Sequence, residues 1–197
     1  KSKENVMSTI TIFGKGNMGT AIGQNFSEAN NSVNFIESDD VVTDLGDIIV
    51  LAVPYDAAKS IVTNHKADLA GKIVIDITNP VNFETWDGLV VPTDSSAAAE
   101  FAAIAPDAKI VKGFNTTFAS TLATKTVNGT IQTTVQLASD DQTAKETIIA
   151  ALVGSGLAVI DAGSLLRARE LESLGFLQLT LASKEVIGWT GGFGLVK

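Results

Sequence analysis

Thr9-Ile10-Thr11-Ile12-Phe13, followed at once by Gly14-Lys15-Gly16-Asn17-Met18-Gly19, is the stretch on which the fold turns. Five apolar and β-branched residues read as a buried strand. Met18, Ile22 and Phe26 then recur at i, i+4 and i+8, the spacing of one helix face. Between strand and helix stand three glycines in G-x-G-x-x-G order. Gly14 permits a tight turn, Gly16 lets the backbone approach a pyrophosphate, and Gly19 lets helix and strand pack closely. The helix N-terminus offers unpaired N–H groups to the anion. A lone G-x-G-x-x-G carries little weight. Strand before, helix after and an acid, Glu37, closing the next strand about twenty residues on carry much more. The competing reading is a glycine turn that packs a helix onto a strand and binds nothing.

Outward from this unit, apolar runs recur at Val33 to Glu37, Ile48 to Val53, Lys72 to Ile77, Lys109 to Gly113, Ile131 to Ala138 and Leu157 to Asp161. With the first run they make seven candidate strands. Ile48 to Val53 is continuous rather than alternating, as in a parallel strand covered by helices on both faces. Helices are expected from Pro54 to about Leu69, ended by Ala70-Gly71, from Ser95 to Ala105, from Gln142 to Leu152 and from about Leu165 to Ile187; Asn30-Asn31 stops the first. The fold class is therefore α/β, a Rossmann-type doubly wound, mainly parallel sheet in three αβα layers with a C-terminal helix. Only Ser38 to Gly46 joins the second and third strands, too short for the usual crossover, so a turn is expected there.

Composition narrows the function. Fourteen Lys+Arg against 22 Asp+Glu give a net charge of −8, and the two arginines, Arg167 and Arg169, sit together, which argues against nucleic acid as a partner. With 45% hydrophobic and 18% charged residues the chain is globular. It has no cysteine, so thiolate metal sites and a Cys nucleophile are excluded and a reducing, cytoplasmic setting is compatible. The apolar-rich run from Thr147 to Ile160 is interrupted by Gly154 and Gly156 and falls short of the ~20 residues of a membrane span. No membrane partner is expected. Residues 1–6 read as an N-terminal extension or a cloning remnant, and 7–197 as a single NAD(P)-binding domain.

Several strand-end motifs carry a family resemblance: the Gly14 to Gly19 loop, Ala52-Val53-Pro54, Asp76-Ile77-Thr78-Asn79-Pro80, Lys112-Gly113-Phe114-Asn115-Thr116, and Asp161-Ala162-Gly163 followed by Ala168-Arg169-Glu170-Leu171-Glu172. In order and spacing these resemble the NADP-binding family of coenzyme F-420 (deazaflavin) reductases, above all its bacterial members named as dinucleotide-binding oxidoreductases. The similarity runs from Thr9 to the last helix. It implies NADP as cofactor and a nicotinamide at the carboxyl ends of the strands, beside Ala52, Val53, Pro54, Thr78, Asn79, Gly113, Phe114 and Asn115. Open α/β sheets bind ligands at that edge in any case.

The chain departs from the family at the second strand. Where NADP-preferring members place Ser or Thr followed by a base, Ser38 is followed by Asp39 and Asp40. A 2′-phosphate of charge about −2 placed about 5 Å from Asp39 meets roughly 2 to 7 kcal/mol of repulsion for effective dielectrics from about 80 down to 20. Lys15 is the nearby compensating cation, and an inward Glu37 or Asp39 suits the ribose of NAD instead. Both cofactors are therefore expected to bind, NADP on resemblance and NAD on the acidic strand end. The expected cofactor-binding set is Gly14, Lys15, Gly16, Asn17, Met18, Gly19, Glu37, Ser38 and Asp39 with the strand-end residues just named.

No residue is assigned a catalytic or metal-binding role. Tyr55-Asp56-Ala57-Ala58-Lys59 spells Y-x-x-x-K but stands in the wrong place for a short-chain dehydrogenase, although Tyr55 could line the nicotinamide pocket. His65, the one histidine, reads as a solvated residue near a helix end. Arg167 is expected to meet Glu170, and Arg169 to meet Glu172, at i, i+3. Ser173 to Ser183 is almost wholly apolar, which predicts burial in the fold or a homodimer through the last helix. Trp189 to Gly194 reads as a docked tail in preference to a lid.

Hydride transfer between nicotinamide and a flat redox-active small molecule needs alignment more than a proton donor, which suits a chain without an evident acid or base. A hydroxyacid or imine dehydrogenase would need a larger helical domain than the 36 residues after Asp161. A dinucleotide-binding sensor without turnover shares every motif and is the alternative.

Overall fold

Ile48-Ile49-Val50-Leu51 is buried on both faces because alternate side chains of a strand point to opposite sides, and each side here meets helices. The computed structural model describes residues 7–196. The chain runs β1 (Thr9–Phe13), α1 (Asn17–Glu28), β2 (Ser32–Ile36), β3 (Ile48–Leu51), α2 (Tyr55–Asn64), β4 (Ile73–Asp76), α3 (Ala97–Ile104) and β5 (Lys109–Lys112). It continues with α4 (Ala119–Thr124), β6 (Thr126–Val127), β7 (Ile131–Gln132), β8 (Thr134–Ala138), α5 (Gln142–Ala151), β9 (Ala158–Gly163) and α6 (Ala168–Ser183).

Seven strands form one sheet in the order β2-β1-β3-β4-β5-β8-β9, parallel except at the β5–β8 pair. Two cores result. Ile10, Ile12, Ile48, Val50 and Ile75 pack with Ile22 and Phe26 of α1 and Ile148 of α5, while Ile49, Leu51 and Val74 pack on the other face with Val62 of α2 and Phe101 of α3. This is the expected Rossmann-type α/β fold. β1 and β3 are neighbours although β2 lies between them in sequence, so the strand order reverses there and leaves a crevice at their carboxyl ends. Among the described residues no helix is long and apolar enough to cross a membrane.

Several expectations need correction. The Ile131 to Ala138 run divides: β7 pairs antiparallel with β6 in a separate hairpin, and only β8 joins the main sheet. The antiparallel entry of β8 lets this small hairpin replace a helical crossover. The helix expected to run to Leu69 ends at Asn64, and the one expected from Leu165 to Ile187 is a 3-10 turn at Leu165–Arg167 followed by α6, which stops at Ser183. The short helix α4 has six residues, too few for a periodic signal. The turn-like connection over Ser38 to Gly46 and the left-handed Asn30, φ 65°, are as expected. Residues 1–6 and Lys197 lie outside the described residues.

Candidate functional site

At the β1–α1 junction Gly14 has φ 93°, and its N–H donates to Ile36 O at 2.9 Å, tying the loop to the end of β2. A Cβ on Gly14 would meet Ala52 O at 2.4 Å, and one on Gly19 would meet Gly14 O at 2.1 Å, so these two glycines allow loop, helix and β3 to touch. Gly16 differs: a Cβ there meets nothing within 4 Å. It is the N-cap of α1, which has no side-chain cap, whereas α3 and α5 are capped by Ser96 and Asp141. The first-turn N–H groups of α1 are thus left for an anion, and the space before Gly16 is where it would sit. A dinucleotide pyrophosphate fits this cradle.

At the end of β2, Glu37, Ser38, Asp39 and Asp40 are all exposed. The Asp40 carboxylate turns back to accept the Glu37 N–H at 2.7 Å, which spends it on the local turn. Lys15 Nζ lies 5.5 Å from the centre of the Phe35 ring, so its charge hangs over β2 from the loop opposite.

A cleft of about 740 Å³ opens beside the glycine loop, within the ~300–1,000 Å³ of cofactor sites. Of the expected residues it gathers Lys15, Gly16, Asn17, Met18, Asn79 and Asn115. Asn79 Nδ2 donates to Asn115 O at 3.0 Å, and Asn115 Nδ2 returns the bond to Asn79 Oδ1 at 2.9 Å and also reaches Leu171 O at 2.8 Å. With both donor directions used, Asn115 Oδ1 is buried with no partner, as is Thr78 Oγ1 just behind. Unpaired buried oxygens at a pocket edge are costly unless a ligand or water meets them.

Other expected residues lie outside the cleft. Phe114 is fully buried, 6.2 Å from Phe26, and a Cβ on Gly113 would press on Leu137; both shape the backbone from within. The positive φ of Phe114, 62°, turns the chain so that Asn115 meets Asn79. Ala52 and Val53 back the glycine loop, and Pro54 lines a separate recess beside Tyr55. Tyr55 does not reach the cleft: it stacks on Phe101 and donates to Glu100, with Lys59 Nζ 3.0 Å from the same carboxylate. Burial first, then this bond, pushes the Tyr55 hydroxyl up, so it is not primed as a base. His65 caps α2 and faces Asp68 at 3.2 Å.

Sequence reasoning missed the far wall, Thr117, Phe118, Ser120 and Ala123 around α4 with Leu179 of α6. The Asn25 amide holds α4 against α1 by donating to Leu122 O at 3.0 Å, a tie that no spacing reveals. Trp189 was visible as part of an aromatic end. It docks as expected and also lines the cleft.

Glu172 corrects another expectation. It does not face Arg169, which pairs with Glu170 at 2.7 Å; Arg167 meets Glu170 at 3.5 Å. Glu172 lies on the inner face of α6 with Ala168, Leu171 and Gly175, and reaches Lys112 Nζ at 2.9 Å. Lys112 also binds Asp76 at 2.9 Å and donates to Thr78 O. All three ionic side chains are 0–1% exposed. Burial pushes the Glu172 carboxyl above its ordinary value; Lys112 opposes this, and Asp76, a second carboxylate on the same ammonium, adds to it. The cluster fixes the Thr78–Asn79 turn and ties α6 to the ends of β4 and β5.

Comparisons with known proteins bear on the family resemblance and the fold. A family model described as NADP oxidoreductase coenzyme F420-dependent matches residues 36–80. An F420-dependent NADP reductase of Methanocaldococcus jannaschii is 27% identical over 150 residues, covering 74% of this chain and 66% of its own length. The chain thus matches just under two thirds of that relative. A solved structure provisionally named an F420-dependent NADP reductase, from Arthrobacter sp. FB24, superposes with a TM-score of 0.82 at 21% identity, over 96% of this chain and 100% of the other. That likeness is one of fold. A hypothetical protein of Sinorhizobium meliloti is 28% identical with a TM-score of 0.68, over 82% of this chain and 87% of its own. The resemblance read from the sequence motifs is borne out.

Proposed function

We propose that the chain is an NADP-dependent oxidoreductase that passes hydride between a nicotinamide and a small-molecule acceptor seated in the cleft. The observation that carries this reading is the open space before Gly16 at the uncapped start of α1, in the wall of a cleft that also holds Asn79 and Asn115. Gly16 and the first turn of α1 would hold the pyrophosphate, and Lys15 and the Ser38 hydroxyl would hold the 2′-phosphate. Asn115 Oδ1 would accept from the carboxamide of the nicotinamide. NADPH supplies a hydride: its C4–H bond breaks, the electron pair goes to the acceptor, and NADP⁺ remains. A proton from solvent completes reduction of the acceptor. Lys15 is the one ionisable side chain among the described residues lining the cleft, so the chain contributes alignment and exclusion of water. NADP is favoured by the relatives' names, and NAD is the minor alternative.

The same reading takes residues 7–197 as one dinucleotide-binding domain, active in a reducing cytoplasm and paired in a homodimer through the outer face of α6. Supporting the dimer, Leu177 on that face is 49% exposed. A Gly16→Val variant tests the site. Its φ of −72° suits any residue, so the variant should fold with an unchanged melting temperature and lose NADPH binding in calorimetry. Retained affinity in the folded variant would place the site elsewhere. NADPH oxidation against deazaflavin, flavin, ferric and quinone acceptors separates an enzyme from a sensor that only binds.

A further inference from the structure

We infer that the buried cluster of Lys112, Asp76 and Glu172 biases the redox form in which the cofactor is held: its uncancelled negative charge shifts binding toward the cationic ring of NADP⁺ and away from the neutral ring of NADPH, which favours departure of the hydride. This rests on the reading of the cleft as the hydride-transfer site, and it assigns a role to residues that touch no ligand. Asp76 and Lys112 are the last residues of β4 and β5 and face each other in register. Their ion pair therefore lies at the carboxyl edge of the sheet, the edge at which open α/β sheets bind ligands. Glu172 enters from α6 as a second carboxylate on the same ammonium, 2.9 Å away. One ammonium cannot cancel two carboxylates. Glu172 also accepts the N–H groups of Ala97 at 3.0 Å and Ala98 at 3.4 Å, in the first turn of α3, whose partial charge of about half a unit offsets the remainder only in part. All three ionic side chains are buried, so water and salt screen what is left only weakly.

Both asparagines of the cleft are fastened to this cluster. Asp76 Oδ1 accepts the Thr78 N–H at 2.8 Å and Lys112 donates to Thr78 O, which fixes the next residue, Asn79, in the cleft wall. Asn115 follows shortly after Lys112 in the chain and donates at 2.8 Å to the carbonyl of Leu171, the neighbour of Glu172. Its own Oδ1, buried without a partner, adds the negative end of an amide dipole. The one ionisable side chain lining the cleft among the described residues, Lys15, stands at the glycine loop. Two residues of chain and one contact put a ring held by Asn79 and Asn115 at roughly 10 Å from the cluster. At that distance and an effective dielectric of about 20, half to one whole negative charge strengthens the binding of a cation by about fourfold to sixteenfold.

Calorimetric titration of NADP⁺ and of NADPH tests this without turnover, because the two differ only in the nicotinamide ring and their Kd ratio reports the field at that ring. Wild type, Glu172→Gln and Asp76→Asn are compared at about pH 8, since burial raises the Glu172 carboxyl and the group has to be ionised. Each substitution keeps the side chain's shape and an acceptor oxygen and removes one negative charge, from α6 in one case and from β4 in the other. Expected is a ratio of the NADPH Kd to the NADP⁺ Kd that falls about fourfold or more in both variants. A merely structural role would weaken both forms alike and leave the ratio unchanged, as Gly175→Ala is expected to do, since it presses on Asn79 without altering charge. Melting curves establish which variants are folded, and either one decides the matter alone. A ratio within about twofold of wild type in a folded variant, or one that rises, overturns the inference while the functional reading stands. A wild type that binds neither form overturns the functional reading and the inference with it.

Discussion

At the end of β2 two carboxylates follow the serine expected to meet a 2′-phosphate, and the structure separates their roles. Asp40 is engaged with the Glu37 N–H, while Asp39 points its charge to solvent, where water and salt weaken its repulsion of a phosphate. Replacing it should still matter. Asp39→Arg is expected to tighten NADPH roughly tenfold, by removing one charge and adding a bidentate donor, and to leave NADH within about twofold. Unchanged preference in parallel calorimetric titrations would show that Asp39 does not face the 2′ position.

The buried cluster makes the second prediction at this scale. Glu172 holds its proton more tightly in the folded chain than at its ordinary value of 4.5. The stability this contributes is complete below that pH and is lost as pH rises through the raised value. Urea midpoints across pH should therefore show wild type losing stability relative to Glu172→Gln as pH climbs above about 4.5. Parallel curves would mean that Glu172 does not titrate in this window. Lys112→Met should cost more, about 3–5 kcal/mol, since it leaves two buried carboxylates without a cation. The sequence placed Glu172 beside Arg169 because helix spacing allows that pair. Which face of α6 turns inward is decided by Gly175 and the sheet, and local spacing does not carry that information.

Among the elements, those with a strong period or a buried run were legible: β1 with α1, the unbroken β3, and the turn in place of the second crossover. Those that failed are short or held by tertiary ties. Six-residue α4 is fixed by Asn25, and the β6–β7 hairpin closes through its own turn at left-handed Asn128 and Gly129, φ 51° and 71°, between strands of two residues that are too short to show a period. α6 was read as long because Ser183 to Ile187 continues its composition, and it stops where Glu185 turns left-handed, φ 58°. The helix meets the site at Gly175, where a Cβ would stand 2.3 Å from Asn79 Oδ1 and 2.9 Å from Asn115 O. Gly175→Ala should thus push α6 off the Asn79–Asn115 pair, costing about 1–3 kcal/mol in denaturant midpoint and weakening NADPH binding. A variant as stable and as tight as wild type would show that α6 does not brace the site.

For the whole molecule, the class of fold and the phosphate end of the site were readable, because G-x-G-x-x-G binds through backbone that local sequence dictates. The far wall of the cleft was not, since it is assembled from α4, α6 and Trp189, residues distant in sequence and ordinary in composition. The outer face of α6 makes a prediction at this scale: light scattering at micromolar concentration should give a dimer, and Leu177→Asp a monomer. A monomeric wild type contradicts it.

Under the proposed function, hydride leaves a nicotinamide bound at the glycine loop and arrives on an acceptor in the adjoining cleft. Its most direct test is an anaerobic single turnover with NADPH carrying deuterium at the transferred C4 position and 5-deazariboflavin as acceptor, with the label followed by mass spectrometry. The deazaflavin retains a transferred hydrogen on carbon, so the label does not wash out into solvent. The account predicts deuterium on the reduced acceptor in wild type and none in Gly16→Val. Bound NADPH that is never oxidised, or label that appears in water and not on the acceptor, would contradict it.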